Sequence, residues 1–422
     1  VCGIGLYEAT TRGRKRLWLT FSMLGNLGML GFFKYYNFFI DSAVVFLGWL
    51  GFEVNPWSLK IILPVGISFY TFQTMSYVLD IYRGKLKPTR DLLDFALFVA
   101  FFPQLVAGPI ERARNLLPQL AKPRILNATQ IKEGLFLIAW GLFKKIVVAD
   151  HSAQVVNRLY ERSAELTSGE AWLAIYAFSM QIYGDFSGYS DIARGLAKLM
   201  GIELMVNFRL PYFAVRPSDF WGRWHISLST WVRDYLFVSI GANKHGTLRT
   251  HFNLMLTMGV IGLWHGASWT FVLWGLYFGV IQSAHILIQP FMGRWFPARN
   301  AIQRVVILLG SMALTYHLCI LGGVLFRSQN MAQAVEMYRA LFAGGWAWTP
   351  ELFQMTAYFI FVCWPLWFLQ VFQYRSGDLM VFMKWPGWAR FAGILVGLMT
   401  IAFIYLFTAD LRGGEEFIYF QF

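Results

Sequence analysis

The chain has 422 residues, of which 57% are hydrophobic and only 14% are charged, and its mean hydropathy is +0.48. Soluble domains carry about 25% charged residues, so this composition excludes an ordinary soluble domain and predicts a helical membrane protein. In such a chain the net charge of +13 indicates basic loops on the cytoplasmic side, next to anionic lipid, and not nucleic-acid binding.

The predicted elements begin with a basic loop and an outward span. The chain starts at Val1, without the basic and apolar regions of a signal peptide, so we expect the first hydrophobic segments of the full protein to precede it. Residues 11–16 (TRGRKR) come just before an apolar stretch, 17–33. Because cytoplasmic loops are rich in Lys and Arg, this stretch is expected to cross the membrane outward.

The next segments predict a return to the cytoplasm and a broken helix. Residues 38–52 form a shorter apolar segment, expected at the membrane interface, and 61–79 is expected to cross back. The crossing by 61–79 would place the basic loop 82–90 on the cytoplasmic side. The apolar run 92–110 contains Pro103 and has basic residues at both ends. It therefore resembles a re-entrant or broken helix, which needs protein or a water-filled cavity around it.

Six more apolar segments complete the predicted bundle. They lie near 134–149, 170–184, 253–289, 303–326, 352–373 and 388–408. By the length rule, we expect about eight to eleven membrane-embedded helices in total. We find no internal repeat and no soluble domain, so residues 1–422 are expected to form a single domain. The predicted fold is all-α, a multi-pass helical bundle with broken helices around a central tunnel.

A polar stretch in the middle of the chain predicts an amphipathic helix. Within 219–237, the large apolar residues recur at spacings of 3, 4, 3 and 4, at Trp221, Trp224, Leu228, Trp231 and Tyr235. This is one face of a helix. Polar residues fall elsewhere on it, among them Arg223, His225, Ser229, Arg233 and Asp234. Such a helix is expected at the interface or along a cavity.

Two histidines are the leading candidates for chemistry. His265 lies in the apolar stretch GLWHGASW (262–269), and His225 lies on the polar helix. An ionisable residue within the membrane is costly unless it has a partner or a function. On the residues alone, a packing histidine and a general base remain equally open. His151, His245 and His251 are expected in loops or at the interface, and His285 and His317 in packing roles.

Other kinds of site have little support. The chain has no HExxH motif, and the three cysteines Cys2, Cys319 and Cys363 do not form a metal-binding pair, so we expect no metal. It also has no G-x-S-x-G motif of a serine hydrolase. A secondary transporter is the main alternative from another class, since broken helices with polar centres suit it. A scaffold for a polysaccharide export complex is a further alternative.

Several motifs together resemble the membrane-bound O-acyltransferase family. The two main ones are DFWGRWHISLSTWVRDYLF (219–237) and GLWHGASWTFVLWGLYFG (262–279). The resemblance continues, in order along the chain, at 63–84, 101–112, 185–201, 207–213, 324–328 and 417–422. Within the family, the chain is most similar to bacterial members that O-acetylate alginate, peptidoglycan or cellulose. It is less similar to the members that transfer D-alanine to teichoic acid, which remain an alternative.

The resemblance implies a mechanism that uses both sides of the membrane. His265 corresponds to the family's catalytic histidine and His225 to its second functional histidine. The donor would be acetyl-CoA, used as a cosubstrate and not as a bound cofactor, and a periplasmic SGNH-type protein would complete transfer to the polysaccharide. His225 would either orient the acceptor or donate to the developing oxyanion. The protein would lie in the bacterial inner membrane.

The remaining site predictions concern the two ends of the tunnel. Because CoA carries phosphate groups, basic residues are expected at its entrance, namely Arg209, Arg216, Arg223, Arg233 and Lys244. An ordinary role in cytoplasmic loops is equally open for each of them. Residues expected to line or brace the tunnel are Trp224, Trp264, Ser229, Asp185, Tyr189 and Asp191.

Overall fold

The computed structural model describes residues 1–55, 58–244, 246–295, 297 and 299–407. Within these residues every regular element is helical, which confirms the all-α prediction. The α-helices in chain order are α1 (Cys2–Glu8), α2 (Arg12–Leu30), α3 (Tyr36–Trp49), α4 (Ile67–Tyr82), α5 (Leu92–Val99), α6 (Ala113–Ala121), α7 (Ala128–Leu142), α8 (Asp150–Tyr160), α9 (Ser168–Leu199), α10 (Pro217–Arg223), α11 (Ile226–Val232), α12 (Thr247–His265), α13 (Trp269–Trp295), α14 (Ala301–Arg327), α15 (Met331–Ala343), α16 (Pro350–Ser376) and α17 (Gly387–Phe407). His245 and the motif at 417–422 lie outside the described residues.

Five helical segments in the described part of the chain are long and apolar enough to cross a membrane. They are Arg12–Trp49, Trp269–Met292, Ala301–Arg327, Pro350–Ser376 and Gly387–Ile404. The chain is therefore a multi-pass membrane protein. Five is fewer than the predicted number of embedded helices, because elements such as α9 carry many polar side chains that they bury inside the bundle.

The ends of several elements differ from the prediction. Residues 38–52 are not a separate segment, because a π-helical turn at Gly31–Tyr35 joins α2 to α3 without a break. In the segment predicted to cross back, α4 begins at Ile67 rather than at residue 61, since Pro64 precedes it and Gly66 has a φ of 76°. This helix of 16 residues is not one of the five segments long and apolar enough to cross a membrane, so the predicted crossing at 61–79 stays a prediction. The predicted break within 92–110 is confirmed: α5 ends at Val99, and a short 3₁₀ turn follows.

Helix α9 is much longer than the predicted segment 170–184. It begins at a capping box formed by Thr167 and Glu170, and it continues to Leu199. The helix therefore contains the predicted site residues Asp185, Tyr189 and Asp191. The polar residues of this stretch do not end the helix, because a bundle interior can pair them with other side chains.

The amphipathic helix predicted at 219–237 is broken in two. Helix α10 ends at Arg223 and α11 begins at Ile226, and His225 between them has a φ of 42°. A non-glycine residue with positive φ is strained and interrupts a helix. The predicted apolar face is nevertheless buried: Trp224, Leu228 and Trp231 are all less than 9% exposed. Periodicity alone does not reveal the break.

Helices α12 and α13 form a tight hairpin that positions His265. A Cβ atom at Gly262 would overlap the carbonyl oxygen of Phe271, and one at Gly275 would overlap that of Met258. Glycine at both positions lets the two backbones approach more closely than side chains would allow. The hairpin therefore holds the last turn of α12 against the start of α13.

Candidate active site

His265 is the last residue of α12 and lies beside a cavity. Its side chain is buried, and its ring packs against Trp264, Trp274 and Phe326 with centroid distances of 5.0, 5.0 and 5.2 Å. The cavity has a volume of about 50 Å³, and Trp224 also lines it. A cavity of this size holds a few water molecules or a small reacting group.

His225 lies close to Trp264, the tryptophan next to His265 in the sequence. It is 1% exposed, and its ring stands perpendicular to that of Phe186 at 4.6 Å. The centroid of the Trp264 ring is 6.2 Å from that of His225 and 5.0 Å from that of His265. The structure therefore brings the two histidines together, although 40 residues separate them in the sequence.

Asn207 contacts His225, although no local pattern in the sequence marks it as a site residue. Its Oδ1 lies 3.2 Å from His225 Nδ1 and accepts hydrogen bonds from the backbone N–H and the hydroxyl of Ser227. Its backbone carbonyl accepts a hydrogen bond from Ile226 N–H. Asn207 is the first residue of the motif at 207–213, but only the fold shows what it contacts.

Lys34 is a second site residue that no local pattern in the sequence marks. It lies in the π-helical turn between α2 and α3, and its Nζ donates to the backbone carbonyls of Trp264, at 2.6 Å, and His265, at 3.1 Å. The last carbonyls of a helix have no partner within it, and a cation there is favourable. Lys34 thus caps the end of α12 that carries His265.

Replacing Lys34 by methionine should therefore disturb the position of His265. Without the ammonium group, two carbonyls at a buried helix end lose their donor, which costs about 1–3 kcal/mol. We expect the rate of acyl transfer at saturating substrate to fall about tenfold, which corresponds to 1.4 kcal/mol. Lys34→Arg should restore part of this rate, and replacement of the exposed Lys60 by methionine is the control. An unchanged rate in Lys34→Met would contradict the assignment.

The predicted acidic residues of α9 form buried ion pairs. Lys145 contacts Asp150 at 2.8 Å and Asp185 at 2.9 Å, and Lys144 contacts Asp191 at 2.7 Å. Both lysines lie in a π-helical segment, Phe143–Ala149, that joins α7 to α8. These pairs hold α9 against that segment, so their observed contacts are structural.

The other predicted lining residues lie at different places around the site. The Tyr189 hydroxyl lies near the backbone N–H groups of Val106 and Ala107 in the broken segment. Trp224 stacks on Phe220 with a centroid distance of 5.6 Å. Ser229 is half-buried and donates to the backbone carbonyl of Trp224, so its hydroxyl contributes to the local backbone rather than to the cavity.

The predicted basic residues divide into two groups. Three are exposed and form no ion pair with another described residue: Arg209, Arg216 and Lys244. The other two pair with acidic neighbours, Arg223 with Asp219 and Arg233 with Asp234, each at 2.8 Å. The first group has more charge available for an anionic ligand, because ion pairs already compensate the charges of the second group.

Comparisons with known proteins indicate the family of this chain. The sequence profile of the membrane-bound O-acyltransferase family matches residues 86–323, which include both histidines. The chain is 41% identical over 356 residues to a probable alginate O-acetylase of Azotobacter vinelandii, which covers 82% of this chain and 66% of that protein. It is 34% identical over 363 residues to a peptidoglycan O-acetyltransferase of Helicobacter pylori, which covers 80% of this chain and 66% of that protein.

A more distant relative belongs to the D-alanyl branch. The chain is 26% identical over 277 residues to a teichoic acid D-alanyltransferase of Bacillus subtilis, which covers 62% of this chain and 68% of that protein. The chain thus spans about two thirds of the length of these relatives. With a profile match over more than half of its residues and both histidines inside that match, the chain belongs to the membrane-bound O-acyltransferase family.

Proposed function

We propose that this protein is an O-acyltransferase of the bacterial inner membrane that moves acetyl groups from cytoplasmic acetyl-CoA toward hydroxyl groups of an extracytoplasmic polysaccharide. The observation that carries the proposal is the pair of buried histidines around Trp264, of which His265 lines a cavity inside the bundle. Two relatives at 41% and 34% identity are named for O-acetylation of alginate and peptidoglycan. These names support acetyl over D-alanyl as the transferred group.

The proposed chemistry is general-base acyl transfer at His265. The imidazole takes the proton of the acceptor hydroxyl while that oxygen attacks the carbonyl carbon of the thioester. A C–O bond forms, the C–S bond breaks, and the imidazolium returns the proton to the leaving thiolate. The packed rings of Trp264, Trp274 and Phe326 exclude bulk water, which would otherwise hydrolyse the thioester.

The donor is proposed to enter past exposed basic residues. Arg209, Arg216 and Lys244 suit the phosphate groups of CoA, because a cation without an acidic partner among the described residues gains most from an anion. Arg209 is joined to the site through its backbone, since its N–H donates to the carbonyl of Arg223, two residues before His225. A CoA molecule bound there would lie on the chain segment that carries His225.

The acceptor side is proposed to work through a partner. The acetyl group would leave on the periplasmic side, where an SGNH-type protein or a polysaccharide export complex takes it to the polymer. The family and the buried histidines favour this proposal over a secondary transporter, because transport needs no general base. They also favour it over a passive scaffold, which needs no histidine in this position.

Reconstitution tests the proposal directly. The full chain is inserted into vesicles, acetyl-CoA carrying a radiolabelled acetyl group is supplied on the side of residues 82–90, and label is measured on polysaccharide with and without the SGNH partner. We expect label on the polymer only when the partner is present and His265 is intact. Free label accumulating inside the vesicles would indicate transport instead. Transfer only from a D-alanyl carrier would favour the teichoic acid alternative.

A further inference from the structure

The orientation of the Asn207 side-chain amide follows from its neighbours. The backbone N–H of Ser227 lies 3.1 Å from one of the two terminal atoms of Asn207. A backbone N–H can only donate, so this atom is the amide oxygen and not the nitrogen. The nitrogen then faces Ser190 Oγ at 3.3 Å, where a hydroxyl can accept. Both ends of the amide are satisfied in this orientation.

The amide orientation in turn fixes the hydrogen of His225. Its Nδ1 lies 3.2 Å from Asn207 Oδ1, which is an acceptor only, and 3.5 Å from Ser227 Oγ, whose hydrogen goes to Asn207 Oδ1 at 2.9 Å. Nδ1 must therefore carry a hydrogen. His225 is 1% exposed and packs against the rings of Phe186 and Trp264, surroundings that disfavour a charged imidazolium. A neutral imidazole has one N–H, so Nε2 carries a lone pair and accepts hydrogen bonds.

The lone pair of Nε2 is buried and has no hydrogen-bond partner among the described residues. A buried polar atom in this state needs a physical explanation, and a substrate group is one. The backbone supports this reading, because His225 has a φ of 42° and the adjacent Ile226 N–H donates to the Asn207 carbonyl at 2.9 Å. Strain of this kind persists where the surroundings impose it, and it is frequent at functional sites.

We infer that Asn207 is a positioning residue that holds His225 in the Nδ1–H tautomer, so that Nε2 accepts a hydrogen bond from the acceptor substrate. This inference rests on the proposed acyl transfer and decides between the two roles that the sequence leaves open for His225. A neutral His225 with this tautomer orients an O–H group of the acceptor. It does not donate to the oxyanion, because Nε2 has no hydrogen to give.

Nitrogen NMR on the full chain in lipid nanodiscs tests the tautomer without reference to activity. The protein is labelled with ¹⁵N-histidine, and the His225 signals are identified by their loss in His225→Gln. In the wild type we expect a protonated Nδ1 and an unprotonated Nε2. In Asn207→Leu, which removes the acceptor, we expect a mixture of both tautomers. Asn207→Asp keeps an oxygen in place and should keep the wild-type tautomer.

Kinetics on the same variants test the positioning role. Loss of a residue that orients a functional side chain typically lowers activity on the order of 10- to 100-fold. We expect Asn207→Leu to lower kcat/KM for the acceptor by this factor and to leave the KM for acetyl-CoA unchanged. Asn207→Asp should recover most of the activity. Asn253 supplies the matched control, since it is equally buried and its amide donates to the carbonyls of Ile240 and Ala242.

The outcomes separate this inference from the proposed function. A wild-type His225 with its hydrogen on Nε2 would overturn the inference, and so would an Asn207→Leu protein with unchanged tautomer and kinetics. An equal loss of kcat/KM in Asn253→Leu would reduce Asn207 to a structural role. If the protein transferred no acyl group at all, the wild-type NMR signature would still decide the tautomer. If Asn207→Leu failed to fold, the NMR signals of the wild type and of Asn207→Asp would decide the tautomer of His225.

Discussion

Replacing His265 by alanine should lower acyl transfer per folded molecule by about 10²–10⁴-fold, the range typical of a lost general base. The imidazole lies at the cavity, at the end of α12, and alanine there removes the group proposed to take the hydroxyl proton. The helix itself should persist, because alanine favours helical structure and the Gly262–Gly275 contact remains. The measurement is label transfer from acetyl-CoA in vesicles, normalised to the amount of folded protein.

His317 offers a matched control for this experiment. It is also a histidine on an apolar helix, but its Nε2 is hydrogen-bonded to Tyr176 at 2.7 Å and its Nδ1 to the carbonyl of Ala313. His317→Ala should lower the melting temperature and leave transfer per folded molecule nearly unchanged. A folded His265→Ala protein that transfers at the wild-type rate would show that His265 is a packing residue.

Replacing Lys145 by methionine should cost about 3 kcal/mol of stability, the low end of the range for breaking a buried ion pair. The ammonium group contacts both Asp150 and Asp185, and the Asp185 side chain is only 3% exposed. Methionine has a similar volume but removes the ammonium group from both carboxylates. The low end of the range applies because Lys145 is itself 23% exposed, which lets water compensate part of the loss.

The stability change can be measured by unfolding the reconstituted protein with a denaturing detergent. Lys384 provides the control: it pairs with Asp378 at 2.9 Å, but its side chain is 76% exposed, and Lys384→Met should leave stability unchanged. Adding Asp185→Asn to Lys145→Met should recover part of the loss, since it removes one uncompensated charge. A Lys145→Met protein as stable as the wild type would mean that water, and not Lys145, neutralises these carboxylates.

Local pattern in the sequence predicts the presence of most helices but not where they break. Apolar periodicity identifies the face of Trp224, Leu228 and Trp231, yet it predicts one continuous helix where His225 separates two. It also ends α9 too early, because polar residues paired across the bundle look like a helix end in the sequence. Both errors arise from contacts between distant segments, which override local preference.

The same reason explains which site residues the sequence reveals. His265 and His225 are visible because an ionisable side chain in an apolar or aromatic setting is unusual in itself. Asn207 and Lys34 are ordinary in their local sequence. They become significant only through partners 18 and 230 residues away, respectively. No spacing rule connects positions so far apart, so these two residues require the structure.

The contact between Lys34 and Trp264 has a consequence for how the protein is made. Its two partners are 230 residues apart, so at about 5–20 residues per second the ribosome synthesises Lys34 roughly 10–50 s before Trp264. During that interval a cation in the first long helix lacks the carbonyls that later accept from it. Its charge is costly in the bilayer centre, so the nascent helix is expected to keep Lys34 near water at first. The final position of Arg12–Trp49 in the membrane is then fixed late in biogenesis, after α12 has been synthesised.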